Sequence, residues 1–159
     1  MSLMVNWGNG MLTWNFTAAD VIDAPPFERA VSDADIALYA LITNDTHPLH
    51  IDTDYAAASP FHKRLIPSGL LMGIVESAIT QLVPFTGAII RQCLVEHLRN
   101  AYVDDILFVK LRLTQVALMP SQQCCQFCIF RNDNVAITQG EALLEIPDAL
   151  PPWLGDADR

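Results

Sequence analysis

Residues 68–83 constrain this chain more than any other stretch. Read at 100° per residue, Leu71, Ile74, Val75, Ala78, Ile79, Leu82 and Val83 fill a wide apolar arc, while Gly69, Gly73, Glu76, Ser77, Thr80 and Gln81 share the narrower stripe opposite. Leu70 is the one large apolar residue off the arc. A helix with so wide an arc must be largely wrapped by other elements, and the small residues on its remaining stripe allow close approach. After Pro84 the period changes to two. Leu107, Val109, Leu111 and Leu113 alternate with Lys110, Arg112 and Thr114, the pattern of a half-buried strand. Residues 89–98, 123–131 and 135–146 supply further strands, the last two joined by the turn Asn132-Asp133-Asn134. One hydrophobic helix ahead of a run of antiparallel strands predicts an α+β domain with the sheet packed around the helix.

The residues before this helix are less regular. Residues 1–27 carry Trp7, Trp14, Phe16 and the breaker Pro25-Pro26, and read as an N-terminal extension laid on the domain as a strand or hairpin. The domain proper is expected over 28–147, with 148–159 as a tail. Ser32 is placed to cap a helix whose first turn holds Asp33 and Asp35. Ile36, Tyr39 and Ala40 continue the helical spacing, which should end near Thr43-Asn44-Asp45. Pro48, Pro60 and Pro67 forbid one long helix over the next stretch, which reads as a loop, a short helix over 55–58 and a second loop. A long structured loop inside a compact domain is often functional.

Composition narrows the function classes. With 9 basic and 18 acidic residues the net charge is −9, unsuited to nucleic acid, which needs a dense basic surface. No apolar run reaches the length of a membrane span, and no secretory leader is visible, so a cytoplasmic chain is expected. In that setting four cysteines read as reduced thiols. On a strand Cys124 and Cys128 point one way and Cys125 the other, and all three read as small buried hydrophobes.

The chemistry-bearing residues lie in the first loop, Thr43-Asn44-Asp45-Thr46-His47-Pro48-Leu49-His50-Ile51-Asp52. A carboxylate and an imidazole converging on one water can share proton transfer. From spacing alone, local capping by Asp45 and packing of His50 is the simpler reading. Residues 39–52, continuing through Tyr55-Ala56-Ala57 and Phe61, resemble the hydratase motif of MaoC-like dehydratases, the R-specific enoyl-CoA hydratases. Ser68-Gly69-Leu70-Leu71 sits where that family has a His-Gly pair at the start of its central helix, Ser77-Ala78 sits where some members have Ser-Gly, and residues 97–105 resemble its strand–turn element. The resemblance spans about residues 28 to 146 and implies a hot-dog fold, usually dimeric.

It also implies a reaction, syn addition of water to a trans-2-enoyl thioester or the reverse. Asp45 and His50 would be the catalytic pair, the Gly69 N–H would polarise the thioester carbonyl, and Ser68 and Ser77 would line the substrate site. The substrate would be an acyl-CoA or acyl-carrier-protein thioester, with coenzyme A as part of the substrate and no separate cofactor. Three positions depart from the family pattern: Asn44 for its Gly, His47 for its Asn, and Ser68 for its His. These departures motivate an alternative, a non-catalytic subunit binding an acyl thioester or a partner chain; a thioesterase on the same fold is another. Asp45, His47, His50, Asp52 and Asp54 match no strong metal-ligand spacing, so no metal is expected. His62-Lys63-Arg64, Arg91 and Arg99 are the basic residues available to phosphates of coenzyme A, and Glu76 is a candidate polar wall for an acyl pocket.

Overall fold

The structure is a computed structural model and describes residues 18–23, 26–82, 87–116 and 121–146. The expectations for Trp7, Trp14, Phe16, Pro25, Val83, Pro84 and the tail lie outside the described residues. In chain order the elements are β1 (Ala18–Asp23), β2 (Phe27–Ala30), α1 (Asp33–Thr43), α2 (Pro48–Ile51), α3 (Thr53–Ala58), α4 (Ser68–Leu82), β3 (Ile89–His97), β4 (Ile106–Val116), β5 (Gln122–Arg131) and β6 (Ala136–Glu145). The strands form one antiparallel sheet in the order β1-β4-β5-β6-β3, with β2 also paired to β4. This is the α+β arrangement that the patterning predicts.

Periodicity places the core. Leu107, Val109, Leu111 and Leu113 of β4 are buried, as are Cys125, Phe127 and Ile129 of β5, while Lys110 and Arg112 are exposed. Against this face lie Leu71, Ile74, Val75, Ala78 and Ile79 of α4, joined by Ile36 of α1. The sheet covers the apolar arc of α4. Gly69, Gly73, Glu76, Thr80 and Gln81 stay exposed, so the opposite stripe is open rather than wrapped. Gly140 of β6 faces Phe127 across the ladder. A Cβ there would lie 2.5 Å from the Phe127 Cζ and overlap the Leu94 carbonyl, so only glycine fits.

Local chemistry sets the helices before α4. Asp35 turns its carboxylate back onto Ser32, accepting from its N–H and its hydroxyl, both at 2.8 Å. These bonds, with the Arg29 charge adding to them, hold the Asp35 carboxyl below the usual carboxylate range. Asn44 ends α1 in the left-handed region at φ 59°, ψ 23°, a conformation that asparagine tolerates better than most residues. The stretch expected to run as loop through residue 54 instead contains α2. Pro48 stands at its first position, where a fixed φ favours a helix start, and His47 Nδ1 accepts from the Leu49 N–H at 3.2 Å. The same proline that forbids a long helix therefore opens a short one. Asp52 caps α3 through the Tyr55 N–H at 2.9 Å. Among the described residues no helix is long and apolar enough to cross a membrane.

Candidate functional site

Asp45 lies half-buried just past α1. Its amide donates to Thr43 Oγ1 at 3.3 Å, and its Oδ1 accepts from the His47 amide at 3.2 Å. These bonds turn the chain sharply from α1 into α2. Asp45 Oδ2 has no protein partner among the described residues. His47 then caps α2, and its ring centroid is 5.8 Å from that of His50. His47 thus links the Asp45 carboxylate to the short helix carrying His50.

His50 is half-buried on α2, and its Nδ1 lies 2.8 Å from the Leu65 carbonyl oxygen. A carbonyl only accepts, so Nδ1 carries the hydrogen, and in the neutral ring Nε2 is left with a free lone pair. The Leu65 amide donates back to the Leu49 carbonyl at 2.9 Å, and the next amide, Ile66, donates to Ala101 at 2.8 Å. The segment leading into α4 is therefore stitched to α2 on one side and to the residues before β4 on the other.

Ser68 and Gly69 occupy the exposed first turn of α4. The Leu70 and Leu71 amides reach the Pro67 carbonyl, but among the described residues the Ser68 and Gly69 amides have no acceptor. Such unpaired donors give the start of a helix a partial positive charge that suits an oxyanion. Gly69 also packs against α1. A Cβ built on it would overlap the Tyr39 hydroxyl and sit 3.2 Å from the Tyr39 Cζ. Helical periodicity accounts for Tyr39 only as part of α1, and nothing in the spacing signals this contact, which joins segments thirty residues apart.

Ser77 sits apart from these groups. It is eight residues along α4 from Gly69, about 12 Å at the helical rise. Its Oγ accepts from Gln81 Nε2 at 2.9 Å. Of the basic residues, Arg64 pairs with Asp33 and Arg91 with Glu145, while Arg99 donates to the Ala136 carbonyl. Lys63 and His62 are exposed, His62 at a left-handed φ of 60°. Glu76 is exposed on α4, and its charge reaches the Cys93 thiol of β3. Among the described residues no three His, Cys, Asp or Glu side chains gather as a metal site. The thiols are held above the ordinary thiol range. Burial pushes Cys124 and Cys125 up to about 12 and Cys128 to about 11, and raises Cys93 as well.

The chain has counterparts among known proteins. The model of a family described as MaoC like domain matches residues 18–99, just over half of the chain. A 3-hydroxybutyryl-CoA dehydratase of Methylorubrum extorquens is 24% identical over 121 residues, which cover 76% of this chain and 76% of the relative. An (R)-specific enoyl-CoA hydratase of Rhodospirillum rubrum is 26% identical over 123 residues, covering 75% of this chain and 82% of the relative. The solved structure of an (R)-hydratase from A. caviae involved in PHA biosynthesis matches with a TM-score of 0.74 at 20% identity, over 83% of this chain and 98% of that one.

Proposed function

Since this chain belongs to the MaoC-like domain family and has the hot-dog fold, we propose that it adds water to a trans-2-enoyl thioester, giving the 3R-hydroxyacyl thioester, or removes it in reverse. The tethering of His50 supports this most directly. Its Nδ1 is committed to the Leu65 carbonyl, so the ring is oriented and Nε2 is the basic atom on offer. Asp45, fixed through the His47 amide, leaves one carboxylate oxygen for the same water.

Water held between the two gives its oxygen to the β-carbon while one of the pair takes its proton. The pair returns a proton to the α-carbon on the same face, so no net proton is consumed. Negative charge passing onto the thioester oxygen meets the free amides of Ser68 and Gly69. The chemistry calls on no metal, and coenzyme A or acyl carrier protein enters only as the carrier of the acyl group. Ser77 is assigned to the acyl pocket wall further along α4. The protein works as a homodimer in this reading: the outer edge of β3 has no partner among the described strands, and Ile89 and Val95 are exposed on it.

Two of the three departures that motivate a non-catalytic subunit have a local structural role, and Ser68 in place of the family His has none among the described residues. Asn44 adopts the left-handed turn, and His47 supplies the α2 cap. Purified protein mixed with crotonyl-CoA should remove the conjugated enoyl-thioester absorbance without releasing free thiol. Thiol release would make it a thioesterase. Binding without reaction across a panel of longer and branched enoyl thioesters would make it a binding subunit.

A further inference from the structure

We propose that Tyr39 is a catalytic residue: its phenol O–H is a second donor to the thioester oxygen, beside the Gly69 amide. The inference rests on the hydratase reading of the site and adds to it a group from α1. The phenol and the glycine are fitted to one another, because any side chain at position 69 would occupy the place of the hydroxyl. Gly73, further along the same helix, faces open space instead, with nothing within 4 Å of its Cβ position.

Covalent geometry bounds the rest. An amide nitrogen and the Cβ position on the same residue are about 2.5 Å apart. The overlap at that Cβ position therefore keeps the Tyr39 oxygen within about 5 Å of the Gly69 nitrogen. One oxygen at ordinary hydrogen-bond lengths can accept from both. Tyr39 is half-buried, and its hydroxyl has no protein hydrogen bond among the described residues. A phenol of this kind has an apolar body and a polar tip, and here the tip is reachable from outside and available to a ligand.

The backbone of Tyr39 is also tied to the catalytic loop. Thr43 Oγ1 donates to the Tyr39 carbonyl at 2.7 Å and accepts the Asp45 amide at 3.3 Å. The last turn of α1 therefore joins the backbone of Tyr39 to that of Asp45 through one hydroxyl. A tyrosine donor suits an enolate, since its hydrogen bond strengthens as charge builds on the oxygen.

The test is Tyr39→Phe, which keeps the ring against Gly69. Expected is a fall in kcat for crotonyl-CoA hydration of roughly 10²- to 10³-fold, the scale of losing one oxyanion donor, with KM changed less than about threefold and the melting temperature unchanged. A second readout does not need turnover: the carbonyl stretch of isotopically labelled butyryl-CoA bound to the protein. It should lie lower in wild type than in Tyr39→Phe, because one more donor polarises the carbonyl. A wild type that hydrates crotonyl-CoA with Tyr39→Phe equal to it in kcat and carbonyl frequency overturns the role of Tyr39 alone. A wild type that binds butyryl-CoA with the lowered frequency but never hydrates an enoyl thioester keeps Tyr39 as a carbonyl donor and overturns the hydratase reading. A wild type that neither binds nor reacts overturns both.

Discussion

The sheet and the segment from Tyr39 to Gly69 treat their polar groups in opposite ways. On the sheet they are matched with one another. Gln126 donates to Glu141 at 2.9 Å and Gln139 to Glu96 at 2.8 Å, His97 meets the Thr138 hydroxyl at 3.0 Å, and Arg91 forks onto Glu145. In the other segment several groups at the candidate site keep an open atom, although Thr43, Ser59 and Arg64 there are matched. Asp45 keeps Oδ2, His50 keeps Nε2, Tyr39 keeps its hydroxyl, and two α4 amides stay unpaired among the described residues. Satisfied groups stabilise, whereas oriented and unsatisfied ones are available to a substrate. The difference separates the part of the chain that sets the shape from the part that can do chemistry.

The sharpest way to break that contrast is to remove the open atoms. Asp45→Asn and His50→Gln should each lower turnover by about 10²- to 10⁴-fold, the range for loss of a general acid or base. Both side chains are only half-buried, so the denaturant midpoint should barely move. If either variant kept full turnover, that residue would be a local cap or packing group and nothing more. The converse change belongs on the sheet. Gly140→Ala forces a methyl against the Phe127 ring and the Leu94 carbonyl, and backbone cannot yield as a side chain can. It should destabilise the fold by about 1–3 kcal/mol, as overpacking does. The folded fraction should retain its turnover number, and urea unfolding followed alongside activity separates the two effects.

What could be read in advance divides along the same line. The core faces of α4 and β4 follow from periodicity, because burial there repeats every 3.6 or every two residues. The Ser32 start and Asn44 stop of α1 follow from single-residue chemistry. α2 did not follow: it starts on Pro48 and a histidine ring accepting one amide, an arrangement that no period records. Nor did the partners of β1 and β2. Each pairs with β4, more than seventy residues away, and nothing in an edge strand names its neighbour. At the site, the resemblance to a family singled out Asp45, His50 and Gly69. The approach of Tyr39 to Gly69 is a tertiary contact between two helices, legible only once the helices are packed.

The smallest expected effect concerns the sheet's own nucleophiles. The buried thiols of Cys124 and Cys125 ionise near 12 and that of Cys128 near 11, against about 9 for a thiol in the open chain. The fold therefore holds their protons where the unfolded chain has given them up. Stabilisation by the neutral thiols is fully present below pH 9 and is lost as pH rises toward 11 to 12. The midpoint of urea unfolding should be flat from pH 7 to 8.5 and fall above pH 9. Cys125→Ala should shallow that fall, even if it lowers the midpoint throughout. At pH 8 the native protein should resist iodoacetamide and keep its activity, with all four cysteines reacting once it is unfolded. Fast modification that stops turnover would put a thiolate in the mechanism and move the chemistry onto the sheet. Resistance would leave proton transfer to the open oxygen and nitrogen atoms of the loop.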